Sequence, residues 1–232
     1  MQTRLKELKP VKYKGDQINF VNNKSLQWIE INRGCLRGCS FCHSDRNYKE
    51  FPVPIIESNK VHIIGEGFLY DPNIKQKIIQ LGKTKYNNKV VYYGLSQGID
   101  FRLLTPEIAE LLSKNRFGLI NSKENWYKGM RIAWDYGKSH EKEVKKTIDL
   151  LVKVGYQKKL IILFMIVNWK IDFETCMYKF KKCQEWGVRI DDCTYECTKK
   201  NFIPLYWKDK NYRTFRKMVR SHNINVSFQK GG

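Results

Sequence analysis

Asn32-Arg33-Gly34-Cys35-Leu36-Arg37-Gly38-Cys39-Ser40-Phe41-Cys42-His43 is the stretch on which the reading of this chain turns. It places Cys35, Cys39 and Cys42 in a C-x3-C-x2-C pattern on a loop that also carries Gly34 and Gly38. Thiolates hold iron–sulfur clusters, and a cubane cluster ordinarily takes four of them. Three closely spaced thiolates leave one iron without a protein ligand, and an open coordination position is what separates a reactive metal site from a structural one. Glycine enters left-handed backbone freely, so the loop can curl until three sulfurs converge. Zinc is the alternative occupant, with His43 as fourth ligand, although zinc knuckles normally pair two separated dyads.

Outward from the loop, the chain alternates short β-type runs with amphipathic helical stretches. A polar arm over residues 1–24 leads to a strand over residues 25–32, which runs straight into the cysteines. Further strands are expected at residues 60–65 (KVHIIG), 89–94 (KVVYYG), 129–135 (GMRIAWD), 160–167, 188–195 and 224–228. Residues 160–167 are apolar on both faces, as a strand buried within a parallel sheet should be. Helices are expected over residues 72–82, from Thr105-Pro106 onward, and over 141–154, 173–186 and 209–222. Strand–helix alternation implies right-handed crossovers and a parallel sheet. Six or so such units in 232 residues are too few for a full eight-unit barrel of about 250 residues. The expected fold class is therefore α/β, a partial parallel (β/α)6-type barrel forming one domain over residues 25–232.

The cysteine loop, with Phe41 just before its last cysteine and a strand ahead of it, resembles the radical S-adenosylmethionine (SAM) superfamily. The resemblance implies a [4Fe-4S] cluster on Cys35, Cys39 and Cys42 whose open iron is chelated by the amino and carboxylate groups of SAM. It implies reductive cleavage of SAM to methionine and a 5′-deoxyadenosyl radical, which usually abstracts hydrogen from a substrate. It also implies an electron donor such as flavodoxin or ferredoxin. Gly65-Glu66 stands where the family has its Gly-Gly-Glu motif, whose backbone binds the SAM amino group, though Ile64 replaces the first glycine. Residues 98–105 (GIDFRLLT), with Asp100 and Arg102, are similar to a segment after the third strand in some members. Asp135 stands where the family often sets a polar residue against SAM, and Asn168 near its ribose-contacting position. Strand C-terminal ends are also where barrel chemistry collects on general grounds. For each of these polar residues a purely structural role is the competing reading.

Four cysteines remain. Cys176 and Cys183 lie seven apart on an expected helix, on the face that carries Phe173 and Phe180, while Cys193 and Cys197 lie four apart around a strand. Together they could ligate an auxiliary cluster. Free cysteine is also a small hydrophobe and among the most buried residues, which makes core packing the plainer reading.

Residues 1–15 are lysine-rich without an apolar stretch, so no secretory leader is expected, and the longest apolar run, residues 160–167, is far short of the ~20 residues a membrane helix needs. A cytoplasmic protein with no membrane partner is expected, its thiols reduced and its clustered cysteines metal-binding rather than bridged. The formal charge of +20 invites a nucleic-acid partner. Joint enrichment in Lys, Asn, Ile, Tyr and Phe is equally what an AT-rich genome writes through its codons. Three functions follow: a radical enzyme acting on a nucleic acid or nucleotide, the same chemistry on a peptide or small metabolite, or a zinc-dependent nucleic-acid-binding module without catalysis. No residue announces itself as the catalytic group.

Overall fold

The computed structural model describes residues 16–22, 26–42, 44, 46–95, 97–194, 207 and 209–228. His43, Tyr195, Cys197 and residues 1–15 of the arm lie outside them. Two compact units divide the chain, Met1–Lys128 and Gly129–Gly232.

Strands of the first unit, in chain order, are β1 (Asn19–Val21), β2 (Leu26–Glu30), β3 (Asn32–Arg33), β4 (Lys49–Glu50), β5 (Lys60–Ile64), β6 (Lys85–Tyr86), β7 (Lys89–Val90), β8 (Tyr92–Leu95), β9 (Phe117–Ile120) and β10 (Trp126–Tyr127). Its helices are α1 (Ile74–Lys83) and α2 (Pro106–Lys114). The main sheet has the order β1-β2-β5-β8-β9-β10. The four central strands run parallel, and the two edges are antiparallel. Ile29, Val61, Tyr93 and Phe117 are buried along it, and Ile78 and Leu81 of α1 with Ala109 and Leu112 of α2 are equally buried. Helix α2 begins as expected: the Thr105 hydroxyl accepts from the Ile108 N–H at 3.2 Å, and Pro106 takes the first turn, where its missing N–H costs nothing.

The second unit contains β11 (Met130–Ala133), β12 (Ile161–Val167), β13 (Arg189–Thr194), α3 (Glu141–Lys153), α4 (Phe173–Trp186) and α5 (Asp209–Phe228). Its three strands form a parallel sheet with β12 in the centre. Strand β12 is buried at six of its seven residues, which is why its sequence does not alternate. Helix α4 starts on the Asp172 carboxylate, which accepts from the Thr175 N–H, and stops at Gly187 in left-handed backbone (φ 64°).

Two expectations about strands are corrected. Residues 224–228 continue α5 rather than forming a strand. Val226 extends the buried stripe of Phe215, Val219 and His222, and the Asn223 amide bonds both the N–H and the C=O of Ile190 at 2.9 and 2.7 Å. Packing along β13 thus overrides the short β-branched run. Strand β9 was not expected, because Gly118 interrupts its apolar signal. Gly118 faces Gly94 across the ladder, and a Cβ on it would lie 2.4 Å from the Tyr127 carbonyl oxygen. The strand expected at 89–94 divides between a hairpin, β6 to β7, and β8. Asn87 and Asn88 at its turn both have positive φ, as a tight type I′ connection requires.

Candidate functional site

The cysteine loop leaves the sheet at the C-terminal end of β2 and is closed at its base by the β3–β4 ribbon, Asn32 opposite Glu50 and Arg33 opposite Lys49. The base is held by charge. The Arg33 guanidinium donates to Glu30 at 2.6 and 2.7 Å, and both Arg33 and Lys49 reach Asp16. Beneath them Lys77 of α1, buried, donates to the Phe51 carbonyl at 2.7 Å, pairs with Asp71 at 2.6 Å and reaches Glu50 at 2.9 Å. An isolated buried ammonium would be costly, and these partners satisfy it.

Within the loop Gly34 and Gly38 both take left-handed backbone (φ 77° and 60°), the curl expected of them. The Cys42 N–H closes a turn onto the Cys39 carbonyl at 3.0 Å. Cys35 and Cys39 are half-buried and Cys42 is exposed. Burial pushes the Cys35 thiol up, against a hydrogen bond from the Arg37 backbone that lowers it, and the charges of Cys42, Cys39 and Glu66 add to the upward shift. They are not yet gathered: among the described residues no three His, Cys, Asp or Glu side chains form a metal-holding group, and the Cys42 thiol bonds the Ser44 hydroxyl at 3.0 Å. The donor set still fits a cluster in its chemistry. Three soft thiols stand on one glycine-bearing loop, the kind of donor that holds an iron–sulfur cluster.

The end of β5 packs directly on the loop's stem. A Cβ at Gly65 would lie 2.4 Å from Asn32 Oδ1, and one at Gly67 would lie 3.0 Å from the Gly34 carbonyl oxygen and 3.5 Å from Cys35 Cα. Gly65 and Gly67 are therefore what lets backbone approach backbone here, and Glu66 between them is exposed. Asn32 is fully buried, and neither polar atom of its amide has a hydrogen-bond partner among the described residues.

Asp100 gathers the rest. Its carboxylate accepts from the Arg102 N–H at 3.1 Å, from Arg102 Nε and Nη2 at 3.0 and 2.7 Å, from Arg37 Nη1 at 3.3 Å and from the Tyr70 hydroxyl at 3.2 Å. Burial pushes Asp100 up, but the hydrogen bonds from Arg102 and the charges of Arg37 and Arg102 outweigh it and hold the carboxyl below its ordinary value. Since Arg37 sits between Cys35 and Cys39, Asp100 ties the cysteine loop to the segment after β8. Phe41 is half-buried on the same loop.

Asp135 and Asn168 belong to the second unit. Asp135 follows β11, where Lys179, buried on α4, donates to the carbonyls of Trp134, Asp135 and Tyr136 at 2.8, 3.5 and 3.3 Å. Asn168 follows β12 in left-handed backbone (φ 54°), and its Oδ1 accepts from the Trp207 N–H at 3.3 Å. Cys176 and Cys183 are fully buried on α4. Desolvation pushes the Cys176 thiol up to about 11 and the Cys183 thiol up as well, and it pushes Cys193 up to about 12. The sequence reading passed over Asn32, Gly67, Tyr70 and Lys77. Gly67 had a signal, a second glycine two residues after Gly65, while the others depend on contacts between distant segments.

No family profile matches the chain. No curated protein matches it. Solved structures do. Coproporphyrinogen III oxidase (HemN) from Escherichia coli, described as a radical SAM enzyme, superposes with a TM-score of 0.55 at 13% identity over 88% of this chain and 52% of that one. The radical SAM methyltransferase TsrM from Kitasatospora setae, with tryptophan substrate and a SAM analogue bound, gives 0.57 at 11% identity, covering 80% and 40%. The enzyme anSMEcpe, with AdoMet and a peptide bound, gives 0.52 at 18% identity, covering 84% and 58%. The chain thus spans between 40% and 58% of the length of these structures.

Proposed function

The chain has the fold of the radical SAM enzymes, and on that premise we propose that it is one of them, holding a single [4Fe-4S] cluster on Cys35, Cys39 and Cys42. The observation that carries the proposal is the close packing of Gly65 and Gly67 against the stem of a three-cysteine loop. It sets the backbone of residues 65 and 67 against Asn32, Gly34 and the Cys35 backbone, where main-chain groups would hold a small amino acid-like ligand.

A cluster held by Cys35, Cys39 and Cys42 would supply the electron for reductive cleavage of SAM, while the protein would supply binding, orientation and exclusion of water. Phe41, Gly65 and Glu66 would border SAM nearest the cluster. Asp100, itself held by Arg102, would serve the site by holding Arg37 of the cysteine loop. Asp135 and Asn168, which follow β11 and β12, are proposed to have the polar role toward SAM that the family gives these strand ends. The same reading takes residues 25–232 as the catalytic core, an electron donor such as flavodoxin or ferredoxin as partner, and the cytoplasm as location. Among the described residues no helix is long and apolar enough to cross a membrane.

Anaerobic reconstitution followed by SAM and dithionite tests the proposal. The expected product is 5′-deoxyadenosine with methionine, and Cys39→Ala should abolish it by removing one of three anchors. Undiminished cleavage in that variant, or a reconstituted protein that holds zinc and leaves SAM intact, would overturn the assignment.

A further inference from the structure

Asn32 differs from the other buried amides of the molecule. Gln17, Asn19, Gln27 and Asn168 are buried as it is, and each is bonded. Gln17 donates to the Glu30 and Pro52 carbonyls at 2.6 and 2.8 Å. Gln27 donates to Asn19 Oδ1 and to the Ile55 carbonyl, both at 2.8 Å, and accepts from the Glu57 N–H at 2.7 Å. Asn168 accepts from the Trp207 N–H. Asn32 is fully buried, yet neither Oδ1 nor Nδ2 has a hydrogen-bond partner among the described residues. A buried amide left unpaired destabilises a fold, whereas an apolar side chain in its place does not, so its presence calls for a reason.

The place of Asn32 in the fold supplies one. Its main chain is fixed, since β3 pairs it with Glu50, and the preceding Ile31 carbonyl accepts from the Phe51 N–H at 3.0 Å and from Lys77 at 3.3 Å. Its side chain lies against the end of β5, with Oδ1 2.4 Å from where a Cβ on Gly65 would stand. The segment it meets is of the opposite character. Strand β5 ends at Ile64, and the Gly67 carbonyl is taken by the Tyr70 N–H at 2.8 Å. Between these two anchors the peptide planes on either side of Glu66 are flanked by glycines, whose dihedrals are the least restrained. An amide on fixed backbone, with donor and acceptor unused, thus faces a stretch whose peptide groups can turn.

We propose that Asn32 is a positioning residue for the SAM site. Its Oδ1 accepts from, or its Nδ2 donates to, the peptide groups around Glu66 and holds them in the orientation that binds the amino acid-like end of SAM. The role rests on the proposed radical SAM reading, which supplies the ligand. Stability given up at a site for the sake of binding is a common trade, and here it falls on a single side chain.

The test compares Asn32→Val with Asn32→Thr in the full chain. Valine removes both polar atoms, and threonine matches valine in shape while restoring a donor and an acceptor. Before reconstitution, Asn32→Val should unfold about 2–4 °C above wild type, since no paired group is lost. After anaerobic reconstitution both variants should hold about four iron atoms, as wild type should. Binding of radiolabelled SAM is then read by equilibrium dialysis. Asn32→Val should bind about tenfold more weakly than wild type, the effect of one hydrogen bond, and Asn32→Thr should recover most of that loss. A gain in stability joined to a loss of affinity is what a packing role does not produce. A lower unfolding midpoint for Asn32→Val, or equal SAM affinity in the two variants, overturns the proposal. Loss of iron from either variant also overturns it, because Asn32 would then be a prop of the cysteine loop. Wild-type protein that neither binds nor cleaves SAM overturns the radical SAM reading and this role together, whereas wild-type binding matched by Asn32→Val removes this role alone.

Discussion

The loop after β3 and the helix α4 both carry cysteines, and they hold them in opposite ways. On the loop, left-handed glycines turn the chain so that Cys35, Cys39 and Cys42 share one curl, half-buried to exposed. On α4, Cys176 and Cys183 stand on a regular helix face beside Phe180, without solvent, with thiols that burial makes hard to ionise. A cysteine in the first setting is available to a metal, and one in the second is packing volume. Backbone conformation, more than the number of thiols, separates the two.

Iron content should break that comparison most cleanly if it is wrong. Wild-type protein is expected to hold about four iron atoms per chain after anaerobic reconstitution. Replacing Cys35, Cys39 and Cys42 with alanine should remove essentially all of it. Replacing Cys176 and Cys183 should leave the count intact while lowering the unfolding free energy by about 1 kcal/mol or more for each truncated buried thiol. Iron near four in the first variant would move the cluster to the second unit.

Gly65→Ala sharpens the comparison from the side of packing. Its new Cβ would meet Oδ1 of the fully buried Asn32 at 2.4 Å, so a loss of about 1–3 kcal/mol is expected in denaturant unfolding. Gly137→Ala has nothing within 4 Å of the added carbon and ordinary backbone (φ −65°), and should change stability by no more than about 0.5 kcal/mol. Equal effects from the two would show that the stem yields to the extra atom.

The smallest expected effect is on pH. The Asp100 carboxyl is held below its ordinary value of 3.8 in the folded chain. Its contribution to stability is therefore present above that value and is lost as pH falls through the lower folded one. The gap in thermal midpoint between wild type and Asp100→Asn should narrow on acidification from about pH 6 to about pH 3. A gap that does not change would remove the ionic component from the tie between Asp100 and Arg37.

Much of this molecule was legible in order along the chain. The three-cysteine loop, its curled glycines, the α/β class, the Thr105 cap of α2, the unbroken apolar run of β12 and the buried stripe of α5 all follow from residue types at short spacing. Such features are set by local backbone preference and by which side of an element is apolar. What tertiary structure alone decided is of another kind. Asn32 fills the space that Gly65 leaves, Asp100 takes Arg37 from a loop 63 positions away in the chain, and Gly94 faces Gly118 across a ladder that no apolar pattern marked. Residues 224–228 became helix because Asn223 found its partner in Ile190 of β13 and Val226 became buried. Each of these is a contact between segments distant in sequence, where steric fit and hydrogen-bond partners are created only once the chain has folded.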